Sequence, residues 1–330
     1  MIDPAFLASC YGFTEDEVKM LAERHKASMD NLKMWYDGYN IGSEKSIYNP
    51  YSVMKALQRG VCKSYWSTTG AYDSVNTYIQ MNFDGLKDDI IRMLAGEHVY
   101  VDTTEFRNDM RVVRSRNDVL TVLIHLGYLA YDGDAQECYI PNKEVADEMN
   151  NAIIRATTWE PLAKTIQNSK SLLEATLSGN EQAVAKAIDL AHDENTSILA
   201  YNDENSLACV LSVAYIWARN EYIIHREYAT GKGYADLVMI PRRNVSKPAL
   251  VIELTNEREE SGACSSYPER EGSRRSQWKF NQSTDTAIDQ IKRKEYPSKI
   301  SEYTGDILLV GINYDKETKQ HTCKILNIQK

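Results

Sequence analysis

The chain has 330 residues, of which 43% are hydrophobic and 26% are charged. This composition is typical of a globular protein and excludes a fibrous or largely disordered chain, while the length indicates about two domains. The formal net charge of −9 argues against a general nucleic-acid binder, because that kind of binding requires basic side chains that displace counterions from phosphates.

The acidic excess is confined to the first two thirds of the chain. Residues 1–221 contain 20 basic and 32 acidic residues, whereas residues 222–330 contain 18 basic and 15 acidic residues. Contact with nucleic acid is therefore expected from the C-terminal part of the chain.

Signals for membrane insertion or secretion are missing from the sequence. No apolar run is long enough to span a bilayer, and the N-terminus lacks a signal-peptide pattern. The six cysteines are scattered without a Cys-x-x-Cys pair, which favours reduced thiols over a zinc site or a disulfide framework. We expect a cytoplasmic protein without membrane contact.

The first 160 residues predict helices separated by aromatic turns. Residues 14–17, Thr-Glu-Asp-Glu, have the pattern of a capping box, and Asn117 is a candidate N-cap for a later helix. Between them, residues 34–40 and 48–52 place four tyrosines and a tryptophan around Asp-Gly and Asn-Pro turn signals. This aromatic segment predicts either a packed corner or a surface for a ligand or partner.

The pattern changes towards the C-terminus. Residues 160–200 predict helices interrupted at Gly179, and we place the domain junction there. The segments that follow predict an α-β-β-β-α-β-β order, which describes a small α/β domain. Its helices are expected at 203–219 and 284–296, and its strands at 222–227, 234–240, 249–254, 306–313 and 322–328.

Three carboxylates in this domain are candidates for chemistry. Asp236 lies in the second predicted strand, Glu253 in the third, and Glu204 in the first turn of the leading helix. Glu253 ends an apolar run that is expected to be buried, where an unpaired charge costs several kcal/mol. The sequence favours either a Mg²⁺ or Mn²⁺ site or a structural ion pair with Lys or Arg.

Several motifs of the chain resemble a known group of proteins. Residues 200–330 resemble the PD-(D/E)XK nuclease-like domain of bacterial proteins that also carry an AAA-ATPase-like region, and residues 12–145 resemble the part of that group which follows its nucleotide-binding half. The matching segments are 227–236, 251–254, 287–296 and 307–314 in the second region, and 12–18, 35–39, 48–52 and 126–129 in the first.

The resemblance implies roles for individual residues. Asp236 and Glu253 would bind the metal, Glu204 would complete the site, and Gln290 and Tyr296 would line its phosphate side. The family pattern also places a lysine two residues after the strand glutamate, and here that position is Thr255. A neutral hydroxyl cannot replace an ammonium in stabilising the negative charge of a phosphoryl transition state.

The polar residues 255–278 have the composition of an inserted loop. Without them Lys279 would follow Leu254 and become the displaced motif lysine. The alternatives are a site without its lysine and a lysine from the following helix, such as Lys292.

These observations predict an α+β chain of three parts. Residues 1–160 form a helical, lid-like region of an ATPase, 161–200 a helical linker, and 201–330 a restriction-endonuclease-like domain with a mixed central sheet. No G-x-x-x-x-G-K-[ST] motif is present, so we expect no ATPase activity from this chain and a possible separate ATPase half as partner. The function is then metal-dependent DNA hydrolysis, or alternatively binding of nucleic acid or protein by a degenerate nuclease fold.

Overall fold

The computed structural model describes residues 9–42, 44–66, 72–81, 83–104, 106, 113–195, 204–229, 234–242, 245–256, 305–315 and 318–328. The chain divides into two compact units, Met1–Ala163 and Lys164–Lys330.

The first unit is mainly helical, with short strands in a two-stranded and a three-stranded sheet. Its described helices are α1 (Glu15–His25), α2 (Met29–Tyr36), α3 (Pro50–Arg59), α4 (Tyr72–Ile79), α5 (Leu86–Leu94), α6 (Arg116–His125) and α7 (Lys143–Arg155). Its described strands are β1 (Tyr39–Ile41), β2 (Glu44–Ile47), β3 (Val99–Tyr100), β4 (Ala130–Asp132) and β5 (Glu137–Tyr139).

The aromatic segment forms a packed corner of this unit. Tyr36 and Tyr48 are fully buried in one core cluster with Val18, Leu32 and Val53. The hydroxyl of Tyr36 donates to the carbonyl of Lys63 at 2.9 Å, and that of Tyr39 donates to the carbonyl of Gly127 at 2.7 Å. Burial of the rings therefore supplies the packing free energy, and the hydroxyl hydrogen bonds fix where the turns lie.

A buried carboxylate ties the same corner to α7. Glu144 is 1% exposed, and its Oε1 accepts hydrogen bonds from Ser52 Oγ, Tyr65 N and Trp66 N at 2.9, 2.7 and 3.1 Å. Burial raises the pKa of this carboxyl above its usual range, and the three hydrogen bonds oppose that rise.

One predicted helix start is confirmed and another is wrong. Thr14 and Glu17 form the predicted capping box of α1. The N-cap of α6 is Ser115, whose side chain accepts from the backbone of Asp118, rather than Asn117. Ser115 has the better position, because its Asp118 lies at the third helical residue and bonds back to the cap.

The second unit combines helices with a five-stranded sheet. Helix α8 (Glu160–Leu177) enters it and is followed by α9 (Glu181–Asn195), α10 (Glu204–Ala214) and the 3-10 helix Ile216–Asn220. Its described strands are β6 (Tyr222–Ala229), β7 (Tyr234–Pro241), β8 (Ala249–Asn256), β9 (Ile307–Asp315) and β10 (Gln320–Ile328).

The sheet has the strand order β10-β9-β8-β7-β6. Strands β8 and β9 are parallel, and every other neighbouring pair is antiparallel. The prediction of a helical region followed by an α/β domain with a mixed sheet is confirmed. The helix expected at 284–296 lies outside the described residues.

Helix α9 packs against the edge strand β10. Two of its carboxylates accept from backbone N–H groups of that strand, Glu181 from Ile325 at 2.9 Å and Asp189 from His321 at 2.6 Å. An edge strand otherwise presents unpaired N–H groups to solvent or to other chains. Although the sequence placed α9 in a linker, the helix contacts the sheet of the second unit.

None of the described helices combines the length and the apolar character needed to cross a membrane.

The buried Glu144 generates a testable pH dependence. The folded state holds the Glu144 proton more tightly than the unfolded chain, so the parent loses unfolding free energy as the pH rises above about 4.3. Glu144→Gln keeps an acceptor oxygen for the three donors. Because the amide does not ionise, the variant should not lose unfolding free energy in this way as the pH rises. In urea unfolding from pH 4 to 7, the variant should gain stability relative to the parent as the pH rises.

The control for this experiment is Glu23→Gln on the exposed face of α1. It should follow the parent at every pH. If the parent and Glu144→Gln gave parallel curves, the raised pKa would be contradicted.

Candidate functional site

One face of the five-stranded sheet is apolar along half of its length. Residues directly opposite each other on neighbouring strands point to the same face. The pairs Val238↔Val251, Val251↔Leu309 and Leu309↔Leu326 therefore form one row, and Ala249 pairs with Ile307 in the row below. These residues form a single core cluster, and Val238, Val251 and Leu309 are fully buried. We call this side of the sheet the shared face.

The same face becomes charged at the next row. Glu253 pairs with Gly311, and Gly311 pairs with Lys324. Leu237↔Ile252 is the last described pair of β7 and β8 on this side, and one further residue in the same register would place Asp236 opposite Glu253. The pairs Arg226↔Leu237 and Tyr228↔Ala235 place Glu227 opposite Asp236. We call these five positions the acidic row, after its three carboxylate residues. They are Glu227, Asp236, Glu253, Gly311 and Lys324.

Glu253 is the best-defined member of the acidic row. It is only 2% exposed and lies directly above the buried Val251. A carboxylate at this depth is costly unless a cation or hydrogen-bond donors compensate its charge. Directly opposite residues in an antiparallel pair have Cβ atoms about 5 Å apart, so Asp236 and Glu253 would lie within reach of one ion if the register continues by one residue. For Asp236 and Glu227 the structure describes the backbone only.

A polar row follows the acidic row. Thr255 pairs with Asn313, and Asn313 pairs with Thr322. Asn313 is 1% exposed, and within the described part of the chain the buried Oγ1 of Thr322 has no hydrogen-bond partner. Strand β8 thus continues through Thr255, which occupies the next position after Glu253 on the shared face. Its last two residues belong to the segment that we predicted as an insertion.

The other predicted site residues are only partly located. Glu204 is the first residue of α10, a helix that contacts β7, and its side chain is not described. Lys279, Gln290, Lys292 and Tyr296 lie outside the described residues. The structure therefore pairs Leu237 with Ile252, the chain neighbours of Asp236 and Glu253, and the roles of all the predicted site residues stay predictions.

The donor chemistry of the acidic row fits a hard divalent cation. Carboxylate oxygens are the preferred ligands of Mg²⁺ and Mn²⁺, and two of them from adjacent strands are a usual starting set. Among the side chains that the structure describes, no group of three or more His, Cys, Asp or Glu residues is arranged to hold a metal. Of the proposed donors, only Glu253 is among those side chains.

Sequence reasoning missed two members of the row, Glu227 and Lys324. Only the pairing of the strands assigns these two residues to the row, and no sequence motif marks them. The hairpin pair Ala229↔Tyr234 makes Glu227 and Asp236 opposite, and this could be counted from a correctly placed turn. Lys324 is brought to the row by β10, whose pairing with β9 could not be derived from local sequence.

Comparison with known proteins bears on the fold of the second unit. Residues 202–323 match the family model of the PD-(D/E)XK nuclease superfamily. The second unit accordingly has a nuclease-type fold, and nucleases of this superfamily generally use divalent metals. No curated protein matches the chain.

The register of the acidic row can be tested by cross-linking. In Asp236→Cys/Glu253→Cys the two cysteines should form a disulfide under mild oxidation, because opposite residues on one face have the required Cβ separation. Peptide mapping by mass spectrometry would detect the linked pair.

The matched control is Asp236→Cys/Leu254→Cys, which places the second cysteine on the opposite face of β8. This pair should remain unlinked. A link in the control and none in the test pair would show that the register is shifted by one residue.

Proposed function

We propose that the second unit is a metal-dependent nuclease that hydrolyses DNA phosphodiesters. The observation that supports this most directly is the buried carboxylate of Glu253 next to the apolar rows of the shared face, within the segment that matches the nuclease superfamily. In this proposal Asp236 and Glu253 bind Mg²⁺ or Mn²⁺, and Glu204 completes the site.

A divalent cation would activate a water molecule and neutralise negative charge on the scissile phosphate. The protein residues have separate tasks. The sheet holds the backbone of Glu253, which pairs with Gly311 of β9 and directly follows Ile252, the partner of Leu237. The apolar rows next to it exclude water and strengthen the attraction between the carboxylates and a cation. Gln290 orients the phosphate, and Lys279 supplies positive charge as the displaced motif lysine.

The substrate assignment to DNA relies on charge and fold together. Residues 222–330 carry a small basic excess in an otherwise acidic chain, so the second unit is the part suited to phosphate contact. The proposal includes a cytoplasmic, bacterial setting, an AAA-ATPase-like origin for residues 1–160, and a separate ATPase half as partner.

A second candidate function is binding without hydrolysis. Thr255 favours it, because this neutral residue follows Glu253 on the same face of β8, where the family pattern has a lysine. A site without that charge would stabilise the transition state poorly while the fold could still bind nucleic acid or protein.

Cleavage assays separate the two functions. The parent should cleave plasmid or single-stranded DNA with Mg²⁺ or Mn²⁺ and not with EDTA. Asp236→Asn and Glu253→Gln should each lose about a hundredfold or more of this activity, because each removes a charged ligand. The rates are measured by gel quantification.

Glu174→Gln serves as the control, since it removes a 64% exposed carboxylate on α8 and should leave cleavage unchanged. A folded parent that cleaves neither substrate would favour the binding function. Equal activity in all four proteins would exclude the acidic row as the active site.

A further inference from the structure

We propose that Lys324 is a further catalytic residue of this site and supplies positive charge, beside that proposed for Lys279, which faces the substrate phosphate over the acidic row. The inference rests on the proposed nuclease function. It concerns the edge strand β10, which contributes none of the carboxylates.

Strand register places Lys324 in the row. Lys324 pairs with Gly311, and Gly311 pairs with Glu253, so the three residues share one face. Glycine at position 311 leaves this face without a side chain between the glutamate and the lysine. In the preceding row the equivalent position is Leu309, whose side chain fills the core. The direct path from Lys324 to Glu253 therefore crosses no side chain of β9 in this row.

The distances allow the lysine to use that path. Two strand spacings separate the Cα atoms of Glu253 and Lys324 by about 10 Å. A lysine side chain reaches about 6 Å from its Cα through a flexible four-carbon stem, and a phosphate oxygen near the Glu253 carboxylate lies within that reach. The neighbouring residue Thr322, on the same face, adds a buried hydroxyl oxygen without a partner in the described part of the chain.

The present contact of Lys324 is weak. Its Nζ lies 3.8 Å from Glu181 Oε1, and its side chain is 44% exposed. That oxygen already accepts a hydrogen bond from Ile325 N at 2.9 Å. Exposed pairs of this kind contribute little free energy, so the ammonium can leave Glu181 for a phosphate at small cost.

The chemistry requires such a cation. During hydrolysis the water oxygen forms a bond to phosphorus, the bond from phosphorus to the leaving oxygen breaks, and the proton of the water ends on the leaving oxygen. Negative charge builds up on the phosphoryl oxygens in between. An ammonium placed over the proposed metal-binding carboxylates would stabilise that charge and compensate part of their negative charge.

The test compares Lys324→Met, which keeps the aliphatic stem, with Lys324→Arg and with Lys319→Met, an exposed lysine of the β9–β10 connection. Two quantities are measured in the full chain: the rate of DNA cleavage, and the affinity for Mn²⁺ by calorimetry. Lys324→Met should lower the cleavage rate about tenfold or more and should strengthen Mn²⁺ binding severalfold, because a competing positive charge is removed. Lys324→Arg should retain most of the activity, and Lys319→Met should match the parent.

A lower cleavage rate together with stronger Mn²⁺ binding in Lys324→Met would show that the lysine acts through its positive charge near the acidic row. A merely structural role would lower cleavage and metal binding together, and circular dichroism would report a folding defect. Glu181→Gln gives a further arm, since the amide oxygen still accepts from Ile325 while the ion pair is lost. Cleavage in that variant should equal or exceed the parent.

The outcomes distinguish this proposal from the nuclease function itself. If the parent cleaves DNA and Lys324→Met behaves like Lys319→Met in both measurements, the proposal is overturned and the nuclease function stands. If the parent binds Mn²⁺ without cleaving, stronger Mn²⁺ binding by Lys324→Met supports the placement of Lys324, and unchanged binding overturns it. A parent that neither cleaves DNA nor binds Mn²⁺ overturns both.

Discussion

The hydrogen-bond register of the five-stranded sheet determines which side chains can act together in the second unit. Side chains alternate between the two faces of a strand, so a slip of one residue would move a whole set to the other side. Val238, Val251 and Leu309 oppose such a slip, because each is fully buried in the same cluster. The apolar rows thereby fix the register of the strands that lead into the acidic row.

Two of the buried glutamates, Glu144 and Glu253, illustrate different solutions to one energetic problem. Glu144 in the first unit accepts three hydrogen bonds on one oxygen, and its charge serves to hold the aromatic corner against α7. Glu253 lies in a central strand beside other carboxylate positions of the acidic row. Like charges at neighbouring positions raise the free energy of the folded state unless a cation is bound. The first arrangement is structural, and the second lies where the proposed metal site would be.

Much of the fold could be predicted because local patterns carry it. The apolar runs of β7, β8 and β9 and the capping box of α1 are short-range signals, and the structure places elements at these positions. The N-cap of α6 was misjudged, since Ser115 and Asn117 both suit that role and only the position of Asp118 separates them. Strand ends were predicted too short, as for β8, where pairing with β9 extends the strand past the apolar run.

The site could be predicted less completely. Asp236 and Glu253 were recognised as polar residues in apolar strands, which is a local feature. Glu227 and Lys324 required the pairing of strands that are distant in sequence, and no periodicity reports this. The packing of α9 on β10 was missed for the same reason: an amphipathic pattern shows that a helix has a buried side and does not show which element covers it.

The contact between α9 and β10 also restricts how this part of the chain can change length. Glu181 and Asp189 are eight residues apart, or about 12 Å along a helix, and the N–H groups that they accept from are four residues apart, or about 13 Å along a strand. Inserting one residue into α9 between the two carboxylates would turn one of them by about 100° away from the strand. The turn at Gly179, with its φ of +71°, precedes both carboxylates and leaves their spacing unchanged. Residues can therefore be inserted at the Gly179 turn without disturbing these two contacts. An insertion inside α9, between the two carboxylates, would break one of them.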